Sequence, residues 1–343
     1  MIFNLEAGEV KTLPIANSKY PEDITVKAGT NAVFSAVIEK DGIPTEYTYQ
    51  WYVNDSLVSG ATNAVYTRTT SSDKGVYSVY CEITNKAGVV KTRTATLQVN
   101  ALPKLDSAKP ANVTCDIGKS ITLEAAISEH GYPKTYTYQW YKNGSKISGA
   151  NSNKYTFAPS SVGSTTFYCA VTNIAGTVNS RTATVKQIMY LYKAGNECTA
   201  NTGGWKSTGL YMAKDDMYIP ASDPTKNSTN MVFIARSTAA GKFNGLYTAK
   251  KINLSNCSVL KAEVTVNSLD YDGMPRWYIR ALTGMNYYTD AAGGVSAPQS
   301  TGAATISWKV SALDSSYYIT MMSGFTSEEN EKAQTTVHNV WLE

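Results

Sequence analysis

An internal repeat of about ninety residues is the feature that most constrains this chain of 343 residues. Residues 47–52 read YTYQWY, and the same string returns at 136–141. Residues 81–88 read CEITNKAG and return as CAVTNIAG at 169–176. A string that recurs at a fixed period indicates one folding unit copied along the chain. About the first 190 residues are therefore predicted to form two small domains of the same fold.

Both copies have the pattern of β-strands. In 47–53, Tyr49, Trp51 and Val53 fall on one face, with polar residues between them. Alternation at period two is typical of a strand with one buried face. The chain contains 24 tyrosines and is dense in Thr and Ser, a composition that favours strands over helices.

Each copy contains a tryptophan on its third strand and, on a later strand, a cysteine that opens the pattern C-x-x-x-N-x-x-G. These residues are Trp51, Cys81, Trp140 and Cys169. The combined pattern resembles the immunoglobulin superfamily over roughly 14–100 and 107–187, and it is similar to the bacterial and bacteriophage branch of that family. The resemblance implies two antiparallel sandwiches, with all four of these side chains in the cores.

Alanine stands where the resemblance implies the partner half-cystine. That position follows a strand-opening glycine by seven residues, and it is Ala36 in the first copy and Ala125 in the second. The usual inter-sheet disulfide, worth about 2–5 kcal/mol in small domains, therefore cannot form. Packing around the two tryptophans must replace it, which suits folding in a reducing compartment.

The C-terminal part of the chain is also rich in strand patterns. Strands are predicted at 189–193, 230–237, 259–268, 275–283, 304–311, 315–322 and 335–342. Their number and spacing suggest a jelly-roll sandwich, and the architecture resembles carbohydrate-binding-module-like sandwiches, in which the first and last strands pair. The expected fold class is all-β: two tandem immunoglobulin-like β-sandwiches followed by a jelly-roll-like β-sandwich.

The domain boundaries follow from these patterns. We predict an N-terminal arm at 1–13, immunoglobulin-like domains at 14–100 and 111–187, a linker at 101–110 and the C-terminal sandwich at 188–343. The linker is inferred from Pro103 and Pro110. No Pro or Gly interrupts 182–192, so the last strand of the second domain is expected to run directly into the third.

Aromatic and polar side chains in the C-terminal sandwich are candidates for glycan recognition, because sugar rings stack on aromatic faces and hydrogen-bond to polar groups beside them. The candidates are Trp205, Tyr211, Asp215, Tyr218, Trp277, Arg280, Tyr287, Tyr288 and Asp290. The alternative is that these aromatic residues belong to the core or to sheet edges. A second alternative places calcium on the loop carboxylates Asp215, Asp216, Asp270 and Asp272.

Several function classes are excluded or disfavoured. The net charge of +4 comes from scattered lysines, which does not suit nucleic-acid binding. Five cysteines without C-x-x-C and two histidines indicate neither a zinc site nor a cofactor. The chain shows neither a secretory signal nor an apolar run of about 18 residues, so no membrane insertion is expected. Common catalytic motifs are absent, and we expect no enzyme.

These observations and the resemblance predict a non-catalytic structural and adhesion protein of a bacteriophage virion, in a tail, baseplate, fibre or head-surface position, assembled in the host cytoplasm. The expected partners are a host cell-surface polysaccharide, bound weakly by a homo-oligomer or by many copies, and other virion proteins, contacted through the arm. Two alternatives remain open: a bacterial cell-surface adhesin, and a carbohydrate-binding appendage of a glycoside hydrolase.

Overall fold

The computed structural model describes residues 10–193, 196, 198–207, 231–236, 244–269, 277–284, 291–323 and 332–343. Strands dominate these ranges, and the one helix within them is a single turn, α1 (Thr199–Thr202). The predicted all-β class is confirmed.

The strands follow the two repeats and the C-terminal part. The first repeat contains β1 (Ile15–Ala16), β2 (Ile24–Lys27), β3 (Asn31–Ser35), β4 (Ile38–Lys40), β5 (Thr48–Val53), β6 (Ser56–Leu57), β7 (Val65–Thr69), β8 (Gly75–Asn85), β9 (Gly88–Lys91) and β10 (Ala95–Asn100). The second contains β11 (Lys104–Leu105), β12 (Val113–Asp116), β13 (Ile121–Glu124), β14 (Ile127–Glu129), β15 (Thr137–Lys142), β16 (Ser145–Lys146), β17 (Lys154–Phe157), β18 (Gly163–Asn173), β19 (Gly176–Asn179) and β20 (Ala183–Lys193). The remaining strands are β21 (Trp205–Ser207), β22 (Met231–Arg236), β23 (Asn244–Thr248), β24 (Ile252–Asn253), β25 (Val259–Ser268), β26 (Trp277–Leu282), β27 (Ala291–Ser296), β28 (Gly302–Lys309), β29 (Ser316–Ser323) and β30 (Lys332–Leu342).

The described residues fall into two compact units. The first contains the chain up to Pro110 together with Glu124–Tyr155 and Tyr168–Thr182. The second contains Ala111–Leu123, Thr156–Phe167 and Ala183–Glu343. The whole first sandwich lies in the first unit and the whole third sandwich in the second, while the strands of the second repeat are divided between the two.

The first sandwich is built around a tryptophan and a cysteine that face each other across two strands. Its larger sheet has the order β2-β10-β8-β5-β6, and β3 pairs with β7. Trp51 on β5 is the cross-strand partner of Cys81 on β8, and both side chains are fully buried. The indole N–H of Trp51 donates to the carbonyl oxygen of Asn63 at 2.9 Å, so the largest core side chain is satisfied at its polar atom.

The second repeat places the corresponding residues in the same way. Trp140 and Cys169 are fully buried, and the indole N–H of Trp140 donates to the carbonyl oxygen of Ser152 at 2.8 Å. The predicted core positions of both tryptophans and both cysteines agree with this burial.

The glutamine of the repeated YTYQWY string explains why that string is shared. The amide of Gln50 donates to the carbonyl oxygen of Val58 at 2.8 Å, and the amide of Gln139 donates to that of Ile147 at 2.7 Å. In each repeat the side chain holds the tryptophan strand to the turn that follows it. The repeated string therefore supplies a core tryptophan and, next to it, a glutamine whose side chain hydrogen-bonds to the segment after the strand.

All five cysteines are free thiols. Ala36 and Ala125 are themselves buried. Burial raises the pKa of Cys81 to about 12 and that of Cys169 to about 11. Both thiols are therefore protonated at neutral pH, which makes them poor nucleophiles.

Asn85, the asparagine of the C-x-x-x-N-x-x-G pattern, holds the first residues of the first sandwich by hydrogen bonds. The amide of Asn85 donates to the carbonyl oxygens of Thr12 and Pro44 at 2.9 and 3.1 Å, and its Oδ1 accepts from the N–H of Ala87 at 2.9 Å. Gly42 lies against the same segment, where a Cβ atom would clash with Thr12 O. The sandwich thus begins before residue 14 and includes the end of the predicted arm; residues 1–9 lie outside the described residues.

The predicted linker at 101–110 requires a similar correction. The amide of Asn173 donates to the carbonyl oxygen of Ala101 at 2.8 Å, and β11 pairs antiparallel with β14. Residues 101–105 are therefore bound into the second sandwich, in the way that Thr12 and β1 are bound into the first. Pro103 suggested a break, but a proline beside a two-residue strand removes no interior ladder bond.

One uninterrupted strand joins the second repeat to the third sandwich within the second unit. Residues 183–187 of β20 pair with β18, and residues 185–188 pair with β12. Residues 189–193 pair antiparallel with β30 of the third sandwich. The predicted continuity of this strand and the pairing of the first and last strands of the third sandwich are both confirmed.

A partly buried carboxylate, that of Glu343, forms ion pairs at the same junction. Glu343 Oε2 lies 2.6 Å from the Nζ of Lys186 on β20 and 3.0 Å from that of Lys261 on β25. The indole N–H of Trp341 donates to Glu343 Oε1 at 2.9 Å. Burial alone would raise the pKa of Glu343, but these charge-assisted hydrogen bonds outweigh it and lower the pKa to about 2.

The third sandwich packs two sheets on each other. One contains β20-β30-β25-β28, with β22 on β30; the other has the order β21-β23-β29-β26-β27, with β24 on β29. All seven predicted strands are present, whereas β21, β23, β24 and β27 were not predicted. β24 has two residues, and β27 reads AAGGVS, so neither carries the β-branched alternation that identifies a strand. The jelly-roll description stays a prediction.

Loss of the Asn85 hydrogen bonds should lower the stability of the first sandwich. In Asn85→Ala, the main-chain groups of Thr12, Pro44 and Ala87 each lose one hydrogen bond, while Thr12 O keeps the one from the N–H of Ile43. The free energy of unfolding should therefore fall by about 1–3 kcal/mol. Thiol labelling in mild urea, read by peptide mass spectrometry, should show faster modification of Cys81. Cys169 is the internal reference, and the exposed Asn151→Ala is the matched control. If labelling became equally faster at both cysteines, or at neither, the proposed role of the Asn85 hydrogen bonds would be contradicted.

The lowered pKa of Glu343 predicts a pH dependence of the junction. In the unfolded chain the carboxyl titrates near 4.5, and in the folded chain near 2. The stabilisation is therefore complete above about pH 4.5 and is lost as the pH falls through 2. Glu343→Gln should be less stable than the unaltered protein at pH 7, by about 1–3 kcal/mol. Thermal unfolding measured from pH 7 to pH 2 should show the difference in stability between the two proteins shrinking as the pH falls. A difference that stays constant would show that it does not come from the Glu343 charge.

Candidate functional site

The structure describes three of the nine predicted glycan contacts. They are Trp205, Trp277 and Arg280. The other six, together with the carboxylates of the calcium hypothesis, lie outside the described residues: Tyr211, Asp215, Tyr218, Tyr287, Tyr288, Asp290, Asp216, Asp270 and Asp272. Among the described residues, no group of three or more His, Cys, Asp or Glu side chains is placed to hold a metal ion.

The two tryptophans belong to the core and not to a binding surface. Trp277 is fully buried between the sheets, and Trp205 is 9% exposed. The indole N–H of Trp205 donates to the carbonyl oxygen of Leu191 on β20 at 3.0 Å. Neither ring face is available for stacking on a sugar, which corrects the prediction for both. An amphipathic ring that follows two glycines suggested a loop, but the residue opens β21 and packs inward.

Strand geometry separates two of the predicted glycan contacts, Trp277 and Arg280. Residues three apart on a strand point to opposite faces. Trp277 and Ile279 point into the core, whereas Tyr278 and Arg280 are half-buried on the outer face of the sheet. The outward neighbour of the buried tryptophan, Tyr278, is thus the aromatic residue beside Arg280, and the period-two alternation of this strand was the signal for it.

Cross-strand pairing places Tyr278 and Arg280 in two rows, whose members on β29, Thr320 and Met322, are buried. Tyr247, Thr320 and Arg280 are successive partners on β23, β29 and β26, and Arg280 is paired in turn with Gly294 on β27. The second row contains Gly245, Met322, Tyr278 and Ser296. Residues directly opposite on neighbouring strands share a face, so the rows lie side by side.

Two glycines shape the end of these rows at β27. A Cβ atom on Gly294 would clash with the side chain of Arg280, which lies across the strand there. On the other side, a Cβ on Gly293 would lie 2.8 Å from the ring of Trp308. The Gly-Gly pair therefore lets an arginine cover one face and a tryptophan the other.

The result is a shallow groove of about 460 Å³ along β26 and β27. Its lining residues are Tyr278, Arg280, Ala291, Ala292, Gly293, Gly294, Val295 and Ser296. The Arg280 guanidinium lies 5.8 Å from the centroid of the Tyr278 ring, so the cation and the ring stand together as a cation–π pair. The lining supplies hydroxyls, a fork of N–H donors and a ring, which are groups that bind hydroxylated or anionic ligands.

A second aromatic pair lies on the same sheet. The rings of Tyr247 and Tyr318 meet edge to face with centroids 6.0 Å apart, and Lys251 Nζ lies 5.5 Å from the centroid of the Tyr318 ring. None of these three residues was predicted from the sequence. Only the register of β23 against β29 brings them beside the row of Arg280.

A sequence comparison connects this fold to a bacteriophage particle. The chain is 32% identical over 163 residues to the "highly immunogenic outer capsid protein" of Enterobacteria phage T4. The chain resembles a phage outer capsid protein. The match covers 46% of this chain and 43% of that protein, so it spans less than half of the relative's length. No protein-family model matches the chain. The predicted resemblance to phage virion surface proteins is confirmed.

Solved structures of similar fold are tandem immunoglobulin domains. Sidekick-1 domains 1–4 share 20% identity with a TM-score of 0.38, covering 52% of this chain and 49% of that one. A three-immunoglobulin fragment of titin shares 12% identity with a TM-score of 0.42, covering 91% and 88%. At these TM-scores the likeness carries no argument about function.

In the part of the chain that the structure describes, no helix has the length and apolar character needed to cross a lipid bilayer.

Because Trp277 and Tyr278 point to opposite faces of the sheet, their substitution should lower the stability of the third sandwich by different amounts. Trp277→Phe should lower the stability of the third sandwich by about 1–3 kcal/mol because it leaves a void in a packed core. Tyr278→Ala removes a ring on the outer face and should cost less than about 1 kcal/mol. Thermal unfolding of the two variants tests this. A larger loss for Tyr278→Ala would show that the assigned faces are wrong.

Proposed function

We propose that this chain is a non-catalytic surface protein of a bacteriophage virion, and that its third sandwich binds glycans of the host cell surface weakly. The similarity to an outer capsid protein over 163 residues is the observation that supports the virion position. The groove at Tyr278 and Arg280 supports the glycan site, because it combines a ring, a guanidinium and hydroxyls in one open cleft.

The mechanism is multivalent. A shallow groove with one cation and one ring buries little of a ligand, so a single contact is weak. Many copies on one particle make later contacts intramolecular, and avidity can then exceed the single-site affinity by about 10²–10⁴. Such attachment holds a particle near a cell while leaving each individual contact reversible.

The joined second and third sandwiches suit this role. The continuous strand β20 and the Glu343 hydrogen bonds link the third sandwich firmly to the second repeat. A rigid link of this kind maintains the orientation of a binding face relative to its support, which raises effective concentration at a matched spacing.

The groove residues give a direct test of the glycan site. The full chain, multimerised on beads, should bind a subset of bacterial surface polysaccharides on an array. Arg280→Ala and Tyr278→Ala should each reduce that binding at least about tenfold. Arg280→Lys should recover part of it, because an ammonium keeps the charge but lacks the planar fork.

The control is Lys309→Ala, which removes an exposed cation from the strand β28 of the other sheet. Its binding should equal that of the unaltered chain. No binding by the multimerised chain, or equal loss in Lys309→Ala and Arg280→Ala, would rule out this groove as the site.

The virion position is tested separately, by immunogold electron microscopy of purified particles with antibody to this chain. Gold on the head or tail would support the proposal. Gold on the bacterial surface would instead indicate the cell-surface adhesin, and co-purification with a glycoside hydrolase would indicate the appendage.

A further inference from the structure

We propose that a pocket where the third sandwich meets the second repeat, within the second unit, is a second ligand site that takes a single sugar ring carrying a carboxylate. The pocket has a volume of about 350 Å³. That volume is near the lower end of the range for small-molecule sites, so the ring of one monosaccharide is a suitable occupant. This inference does not depend on the groove at Arg280, which is lined by other residues.

The walls come from segments that are distant in sequence. The second repeat contributes Ile117 after β12 and residues 160–162 before β18, and Met189 on β20 forms part of the lining. The third sandwich contributes Asn201 of α1 and the segments 250–253 and 256–257 on either side of a turn. The pocket therefore exists only when both sandwiches are folded and joined.

The chemistry of the walls favours a hydroxylated anion. Polar side chains dominate the rim, and they are Ser160, Ser161, Asn201, Lys250, Lys251, Asn253 and Asn256. Lysine ammonium groups and side-chain amides donate hydrogen bonds to carboxylates and to ring hydroxyls. The Asn201 amide already donates to the carbonyl oxygen of Tyr190 at 2.8 Å, which leaves Lys250, Lys251, Asn253 and Asn256 as the candidate donors. Apolar atoms of Ile117, Val162 and Met189 offer a surface for the C–H face of a ring.

No carboxylate stands among the described residues that line the pocket. Asp116 precedes the lining residue Ile117, but its Oδ2 lies 3.5 Å from the Nζ of Lys193 and is thereby neutralised in part. The thiol of Cys257 remains protonated at neutral pH, because burial raises its pKa to about 11. The lining thus contains two lysines and no carboxylate among the described residues.

The walls are fixed by the fold before any ligand binds. The N–H of Ile117 donates to the carbonyl oxygen of Ile188 on β20 at 2.9 Å, and the N–H of Gly118 donates to that of Pro159 at 2.8 Å. Lys250 Nζ donates to the carbonyl oxygen of Ala200 at 2.7 Å. Preformed walls reduce the entropy lost on binding. Lys251 also lines the pocket; its Nζ lies 5.5 Å from the centroid of the Tyr318 ring and forms no ion pair with a carboxylate of the described residues, so it is the principal candidate for the anion.

The test uses the full chain and defined monosaccharides. Isothermal titration and saturation-transfer NMR with galacturonate and glucuronate should show binding, and galactose and glucose should bind at least about tenfold more weakly. Lys251→Gln should reduce the affinity for the uronates at least about fivefold. Lys309→Gln, an exposed lysine remote in the sequence and on another strand, is the matched control and should leave it unchanged.

A second variant tests the location without changing charge. Ser161→Trp places a large ring at the exposed rim and should block uronate binding while thermal unfolding stays within about 1 kcal/mol of the unaltered chain. Arg280→Ala should leave uronate binding intact, which separates failure of this site from failure of the groove. Equal binding of uronates and neutral hexoses, equal binding of inorganic phosphate, or undiminished binding by both Lys251→Gln and Ser161→Trp would overturn the proposal.

Discussion

The folding of this chain depends on two buried indoles whose N–H groups find a carbonyl inside the protein. Trp51 and Trp140 fill the centres of the two repeats, and each donates to a main-chain oxygen twelve residues later. A buried indole without a partner would lose much of the free energy that its burial supplies. With the bond made, a buried tryptophan beside a cysteine occupies the place where the resemblance to the immunoglobulin superfamily implies a disulfide. This explains how thiols at Cys81 and Cys169 coexist with a stable core.

The repeated asparagine has a complementary role at the end of each sandwich. Asn85 and Asn173 hold the entering segment by donating to Thr12 and Ala101. The result is that the beginning of each domain is fastened by a side chain from near its end, which closes the fold without a disulfide. The same logic recurs at the third sandwich, where Glu343 receives hydrogen bonds from Lys186 and from strands of its own domain.

Function is placed on the surfaces that these cores leave outside. Strand β26 directs Trp277 inward and Tyr278 and Arg280 outward, so one strand contributes both to stability and to a groove. The junction made by β20 has a similar double role, since it holds two sandwiches together and creates the pocket beside Lys251.

The sequence alone determined the features that depend on local patterning: the two repeats, the strands with period-two alternation, the buried tryptophans, the alanines that exclude a disulfide, and the unbroken strand at 183–193. Alternation is a property of neighbouring residues, so it can be read without a structure. Tertiary structure alone decided that Trp205 packs inward, that Pro103 adjoins a strand rather than a linker, and that Tyr247 and Arg280 lie in one row on either side of Thr320. It also created the pocket of Ile117, Met189 and Lys251. These arrangements bring together residues tens of positions apart, and strand register and sheet packing, which no local pattern encodes, set their distances.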